Sequence, residues 1–233
     1  MEARLSVAWD APWFQPWRAF GEPVLAAWHG RALHEALNGF GSTFVKFVPA
    51  SEKQEGESYE TFIFRTRSCP TRENAHDFFN ALAWLAFPQE KLRLNELQAR
   101  EIGRDGVGAR RGAVRDAITI FDENGAFLEG PQPLWDALLT REWRRLFVDL
   151  RPLWREARVT IFGHALLEKL LVPRKDLTAH VWCGPCDFHA EVLARKPFTP
   201  LPLMGIPGWC PGNENFSFYD DLLVFRAARP RGA

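Results

Sequence analysis

The chain has no excess charge, no long apolar run, few cysteines and no internal repeat, and each absence removes a class of protein. Its 29 basic and 29 acidic residues cancel. A protein dedicated to duplex nucleic acid usually carries a positive footprint, so this balance argues against that role while leaving local basic patches open. No stretch of eighteen apolar residues occurs. The best one, from Phe78 to Phe87, is interrupted by Asn80 and stopped by Pro88, which marks a buried helix and not a membrane span. The first residues include Glu2 and Asp10 and lack a basic segment followed by an apolar one, so they do not read as a signal peptide. With four cysteines and no such signal, the expected location is cytoplasmic, with thiols reduced and no membrane partner. Low-complexity tracts and a separating linker are also missing, so one domain is the simplest account.

What the chain does have is apolar bulk. Of its 233 residues, 46% are hydrophobic and 25% charged, an ordinary globular balance at the upper end of what one core supports. It holds 10 Trp and 19 Phe, and Trp9, Trp13, Phe14, Trp17, Phe20 and Trp28 crowd its start. Rings of that size bury large areas, so the N-terminal segment is expected to pack onto the core. A proline-punctuated arm over residues 1–22, a domain over 23–226 and a tail over 227–233 are the expected divisions. The fold class is α+β, a small, mostly antiparallel sheet packed against several helices in a single domain.

Local signals predict a helix from Pro23 to Asn38 ended by Gly39, and strands at Phe44 to Val48 and Tyr59 to Thr66. Ser51 to Ser58 would be their loop. Two helices follow, Ala75 to Phe87 and Gln89 to Ile102, divided by Pro88. Ala117 to Phe121 is expected to be a strand turned by Asp122-Glu123-Asn124-Gly125. Helices at Leu134 to Leu139 and Glu142 to Leu150 come next. A strand at Val159 to Phe162 then leads through Gly163 into a further helix, and only short strands are expected in the Pro- and Gly-rich remainder.

Three polar groups could carry chemistry. The first is Arg72-Glu73-Asn74-Ala75-His76-Asp77, continuing to Asn80, where a helix opens directly after an extended segment. Free backbone N–H groups and a positive dipole end suit an anion there, and Arg72 could grip phosphate or carboxylate. His76 and Asn80 share a face at i and i+4. The other account makes Asn74 an N-cap and Asp77 its companion in the first turn. The second group pairs His164 with Glu168, a base with its orienting carboxylate or two metal ligands, although a buried His–Glu hydrogen bond fits equally. The third places Arg110, Arg111 and Arg115 ahead of Asp122 and Glu123. Arg115 and Asp116 suggest a salt-bridge network, and Arg115 a phosphate contact.

Trp182-Cys183-Gly184-Pro185-Cys186 spells a redox pentapeptide. The chain after it is too short and too rich in proline for the thioredoxin frame, so a coincidental match is the expectation. Cys183, Cys186, His189 and Cys210 form an alternative structural zinc set.

The run Pro70-Thr71-Arg72, Asn74, His76-Asp77, Phe79-Asn80-Ala81-Leu82 and Trp84 resembles the defining segment of a bacterial family known only as domain-of-unknown-function family 3025. Further blocks match in order: Phe87-Pro88 with Lys91 and Asn95, then Arg115-Asp116-Ala117 through Phe121-Asp122-Glu123 and Gly125. Gly163-His164-Ala165-Leu166 with Glu168-Lys169, Leu177 to His180, and Gly205 to Trp209 complete the series. The family pattern has histidine three residues after Asn95, where this chain has Gln98, and the Cys-Gly-Pro-Cys segment is peculiar to this chain. The resemblance implies no activity, cofactor or catalytic residue.

The first functional expectation is a hydrolase-like or ligand-binding domain acting on a phosphorylated small molecule or nucleic acid with a divalent metal. His76, Asp77, His164 and Glu168 would be its catalytic or metal-binding groups, and Arg72, Asn74, Asn80 and Arg115 would bind substrate. The second is a non-catalytic interaction domain whose polar motifs are caps and buried networks. A site requires the His76 and His164 segments to meet in one cleft.

Overall fold

The computed structural model describes residues 5–41, 44–106, 112–185 and 188–228. It is an α+β protein in which helices dominate and two small sheets are set among them. In order come α1 (Arg18–Trp28), α2 (Leu33–Asn38), β1 (Lys46–Pro49), α3 (Tyr59–Thr66) and β2 (Ser68–Thr71). The long pair α4 (Ala75–Ala86) and α5 (Pro88–Asp105) follows, then α6 (Ala113–Asn124), β3 (Gly125–Glu129) and α7 (Gln132–Thr140). The chain closes with β4 (Arg158–Ile161), α8 (His164–Lys169), β5 (Thr178–Trp182), α9 (Ala190–Ala194) and β6 (Phe198–Pro202). One sheet has the order β4-β3-β5-β6, antiparallel at both outer pairings and parallel at the β3–β5 centre. The other is a parallel pair of β1 and β2 in which Phe47 faces Cys69.

The core forms around α4, whose residues Asp77 to Trp84 are all buried. Phe14 stacks on Phe79 at 5.7 Å and Trp28 on Phe78 at 5.6 Å, so the aromatic N-terminal segment lies against this helix. A second cluster centres on Phe121 of α6, ringed by Phe127, Phe162, Trp182, Phe188 and Phe198.

Four local expectations are corrected. The N-terminal arm, expected to be irregular, is helical over residues 15–22, because Gln15–Trp17 is a 3-10 turn running into α1. The helix drawn from Pro23 to Asn38 is two helices, broken by the turn at Gly30. Tyr59–Thr66 is a helix and not a strand: the Ser58 hydroxyl caps it by accepting from the Thr61 N–H, and Phe62 and Ile63 turn inward. Arg67 ends it in the left-handed region, at φ 53°. The strand and turn expected from Ala117 to Gly125 are the second half of α6 as far as Asn124, and Gly125 opens β3. Ala117, Ile118 and Phe121 of α6 point into the Phe121 cluster, and this helical stripe overrides the β preference of the run Ile118-Thr119-Ile120.

Candidate metal centre

Two strand-to-helix junctions build the site. β2 leads through Arg72 into α4, and β4 leads through Gly163 into α8. Asn74 is the N-cap of α4, its Oδ1 accepting from the Asp77 N–H at 2.8 Å. Asp77 in turn receives Arg72 through the backbone N–H at 2.7 Å and the guanidinium at 3.1 and 2.8 Å. That two-pronged pair straps the junction and leaves His76, in the first turn, aimed toward α8.

α8 packs on both α4 and α6. The approach to α6 depends on Gly163: a Cβ there would lie 2.5 Å from the Asn124 nitrogen and the Glu123 carbonyl oxygen. Only a glycine lets the two backbones meet this closely. His164 follows at once, and it is thereby delivered between His76 and the acidic end of α6.

The rings of His76 and His164 stand 4.6 Å apart, inclined at 74°, with their Nε2 atoms 3.1 Å from each other. His164 Nε2 is 3.8 Å from the Glu123 Oε1. One donor atom from each of His76, Glu123 and His164 lies within 4.8 Å of the others. Bonds of about 2.1 Å to a tetrahedral zinc place donor atoms roughly 3.4 Å apart, so the trio needs little adjustment to hold one ion. His76 gives its other nitrogen, Nδ1, to Glu168 at 2.9 Å. In the tautomer with the proton on Nδ1, Nε2 presents its lone pair toward His164 Nε2, as in a carboxylate–histidine–metal arrangement. His164 Nδ1 is buried without a hydrogen-bond partner and faces the Asp122 Oδ2 at 3.7 Å.

The electrostatics keep donors available. Burial is the main reason that His164 is pushed down to about 4; Lys91 and His76 add to it, against the attraction of Asp122. The ring is therefore neutral near pH 7. Burial alone would raise the Asp122 carboxyl, but Lys91 and His164 together hold it below the usual range. Glu123 is raised by burial and by the neighbouring Asp122. Lys91, only 4% exposed, sits in this balance with its Nζ at 2.5 Å from Asp122 and 2.9 Å from the Asn80 carbonyl oxygen. Asn80 passes the chain on to the Tyr59 hydroxyl, which touches the Cys69 thiol at 3.0 Å. Burial pushes that thiol up to about 12, so Cys69 is an inert thiol here.

These groups open on a cavity of about 410 Å³. His76, Asp77, Asn80, His164 and Arg72 line it, together with Lys91, Asp122 and Glu123. Glu168 stands behind His76, and Asn74 serves as the cap. Arg115 is elsewhere: it is buried, with Nη1 at 3.4 Å from the Gly106 carbonyl oxygen, and does not line the cavity. Its neighbour Asp116 pairs with Lys196. The expected His164–Glu168 partnership is exchanged, since Glu168 serves His76 while His164 faces Asp122 and Glu123. Asp122 and Glu123, read as turn residues, and Lys91 are the members that local reading missed. Polar residues in phase with the apolar stripe of α5 and the end of α6 were the available signal.

The cysteine zinc set has no counterpart among the described residues. Cys183, His189 and Cys210 belong to no converging group there, and Cys186 lies outside the described residues, as do Arg110 and Arg111. The strand before the Cys-Gly-Pro segment is present, but the helix after it, α9, has five residues. No helix of the described residues is long and apolar enough to cross a membrane.

Fold and centre define an α+β protein in which His76, Glu123 and His164 form a candidate His2Glu donor set lining a cavity. The chain belongs to the family described as Protein of unknown function (DUF3025), whose model matches residues 45–194 and 186–229. No curated protein and no solved structure matches it.

Proposed function

We propose that this protein is a divalent-metal-dependent hydrolase whose ion, most simply zinc, is held by His76, His164 and Glu123. The observation that carries the reading is the pair of Nε2 atoms 3.1 Å apart beside the Glu123 carboxylate, with Glu168 orienting one ring from behind. Two histidines and one glutamate leave a fourth position open, the donor set of hydrolytic zinc sites. A metal there would make water a nucleophile at neutral pH and polarise the bond to be cut. Asp122, kept ionised by Lys91, stands beside the centre to take the proton of that water. Hydrolysis there would consume one water per bond cleaved, with Asp122 taking the water's proton and returning it to the leaving group.

Phosphate recognition, the substrate class expected from the arginines, receives little support from the cavity wall. Arg72 is committed to Asp77, and Arg115 is turned away. Buried Cys69 and unpaired Cys183 and Cys210 are compatible with a reducing cytoplasm.

Metal analysis of the purified protein and zinc titration into the chelator-treated protein test the assignment. About one zinc per chain is expected, with binding lost in His76→Ala and in Glu123→Ala. Asp122→Asn is expected to keep zinc and lose on the order of a hundredfold in turnover of activated ester or phosphodiester substrates, the contribution of a general base. Zinc binding that survives both alanine variants would end the proposal.

A further inference from the structure

α3 and α5 together make one wall of the cavity. Along α5, Lys91, Leu94, Asn95 and Gln98 repeat at helical spacing and all line the cavity. Asn95 and Gln98 are both more than nine-tenths buried. The Asn95 amide donates to the Glu60 backbone oxygen at 3.0 Å, and its Oδ1 has no hydrogen-bond partner. The Gln98 amide donates to the Glu60 Oε1 at 2.7 Å. Glu60 has no cationic partner among the described residues. The cations that line the cavity are engaged: Arg72 by Asp77, Lys91 by Asp122, and Lys53 by the carbonyl oxygens of Gln54 and Glu57.

On this wall one amide N–H of Asn95 and one of Gln98 are used on Glu60, and the acceptors left without a donor are the second Glu60 oxygen and the Gln98 carbonyl, with the orphaned Asn95 oxygen enclosed beside them. A buried acceptor without a donor is costly unless a ligand completes it. We infer that Glu60, Asn95 and Gln98 form a specificity subsite for a protonated nitrogen, an ammonium or guanidinium group, carried by the substrate. The inference deepens the hydrolase reading and rests on it for the position of the bond to be cut. Asn95 and Gln98 lie four and seven residues beyond Lys91, roughly 6 and 10 Å along the helix. Lys91 touches Asp122 at the edge of the metal centre. The substrate is thus a cationic one in which the nitrogen stands roughly two or three extended residues' length from the scissile bond.

Three hydroxamates of equal length test this on the zinc-loaded protein, since the headgroup binds the metal and only the tail differs. Aminohexanohydroxamate is expected to bind about tenfold tighter than hexanohydroxamate, the least that a hydrogen bond to a charged group supplies. The carboxylate-tailed analogue is expected to be the weakest. Glu60→Gln should abolish the preference for the amine while leaving zinc affinity and hexanohydroxamate affinity unchanged. Equal binding of the three tails, or a preference for the carboxylate, overturns the subsite and leaves the metal reading standing. Failure of every hydroxamate overturns the metal reading instead. The subsite is then judged on the metal-free protein with hexylammonium against hexanol. A thermal shift specific to the ammonium and lost in Glu60→Gln upholds it, and no such shift overturns it.

Discussion

Replacing Gly163 by alanine should unmake the metal centre without touching any residue that would hold the ion. The added Cβ would lie 2.5 Å from the Asn124 nitrogen, 2.5 Å from the Glu123 carbonyl oxygen and 2.6 Å from the Asn124 Cα. All three are backbone atoms fixed by the end of α6, so no side chain can swing aside. Relief to ordinary contact, about 3.5 Å, requires α8 to retreat from α6 by roughly an ångström. His164 is the next residue and must move with it, away from a Glu123 oxygen that is already 3.8 Å from its Nε2. Metal–donor bonds are held to about 0.2 Å, so such a backbone retreat adds to what side-chain rotation must already close and weakens one of the three donors. Zinc affinity is expected to fall by at least the ~10–100-fold that follows loss of an outer-shell partner. Overpacking should also cost about 1–3 kcal/mol of stability in the metal-free protein. Gly103→Ala is the control, because it lies within α5 and a Cβ there meets nothing within 4 Å. It should leave zinc affinity unchanged and raise stability by up to ~1 kcal/mol. Isothermal titration with zinc and thermal melts of both variants read the outcome. A Gly163→Ala protein with wild-type zinc affinity and melting temperature would refute the claim that this backbone contact positions His164.

Two more perturbations probe the same framework. His164 is held to about 4 in the fold against about 6.5 in an unfolded chain, so the unfolded state binds the extra proton between those values. Stability of the chelator-treated protein should therefore fall by on the order of 3 kcal/mol as pH drops from 6.5 to 4. Raised Glu123 acts with the opposite sign near the bottom of that window, so the diagnostic is a flatter denaturant-midpoint profile in His164→Gln; an unchanged profile would remove His164 as its source. Phe121→Ala should cost about 3–5 kcal/mol, since it removes the ring shared by five aromatic neighbours. The melting temperature should drop on the order of 10 °C, and a loss of only a degree or two would show that the cluster repacks.

How far the site could be read from the chain depends on whether its information was local. The α4 junction was legible because a cap, a dipole and a stop are short-range: Asn74 bonds three residues ahead and Pro88 ends the helix. α3 and α6 were not, because Tyr59–Thr66 and Ala117–Phe121 carry β-branched and aromatic residues whose choice of conformation is made by what they pack against. Misreading the end of α6 as a turn also displaced Asp122 and Glu123 from a helix terminus that faces two histidines to a loop with nothing opposite. The meeting of His76 with His164 joins residues 88 apart in the chain, and no capping or periodicity signal specifies which helix starts will abut. One trace of the site was nevertheless present. Lys91, Asn95 and Gln98 fall in phase with Leu94 and Ile102 on the buried face of α5. Burying three polar side chains on one helix face is unfavourable unless each finds a partner. A stripe that mixes polar and apolar residues at period 3.6 therefore points to a polar cavity on that face, even when the sequence does not say what lies across it.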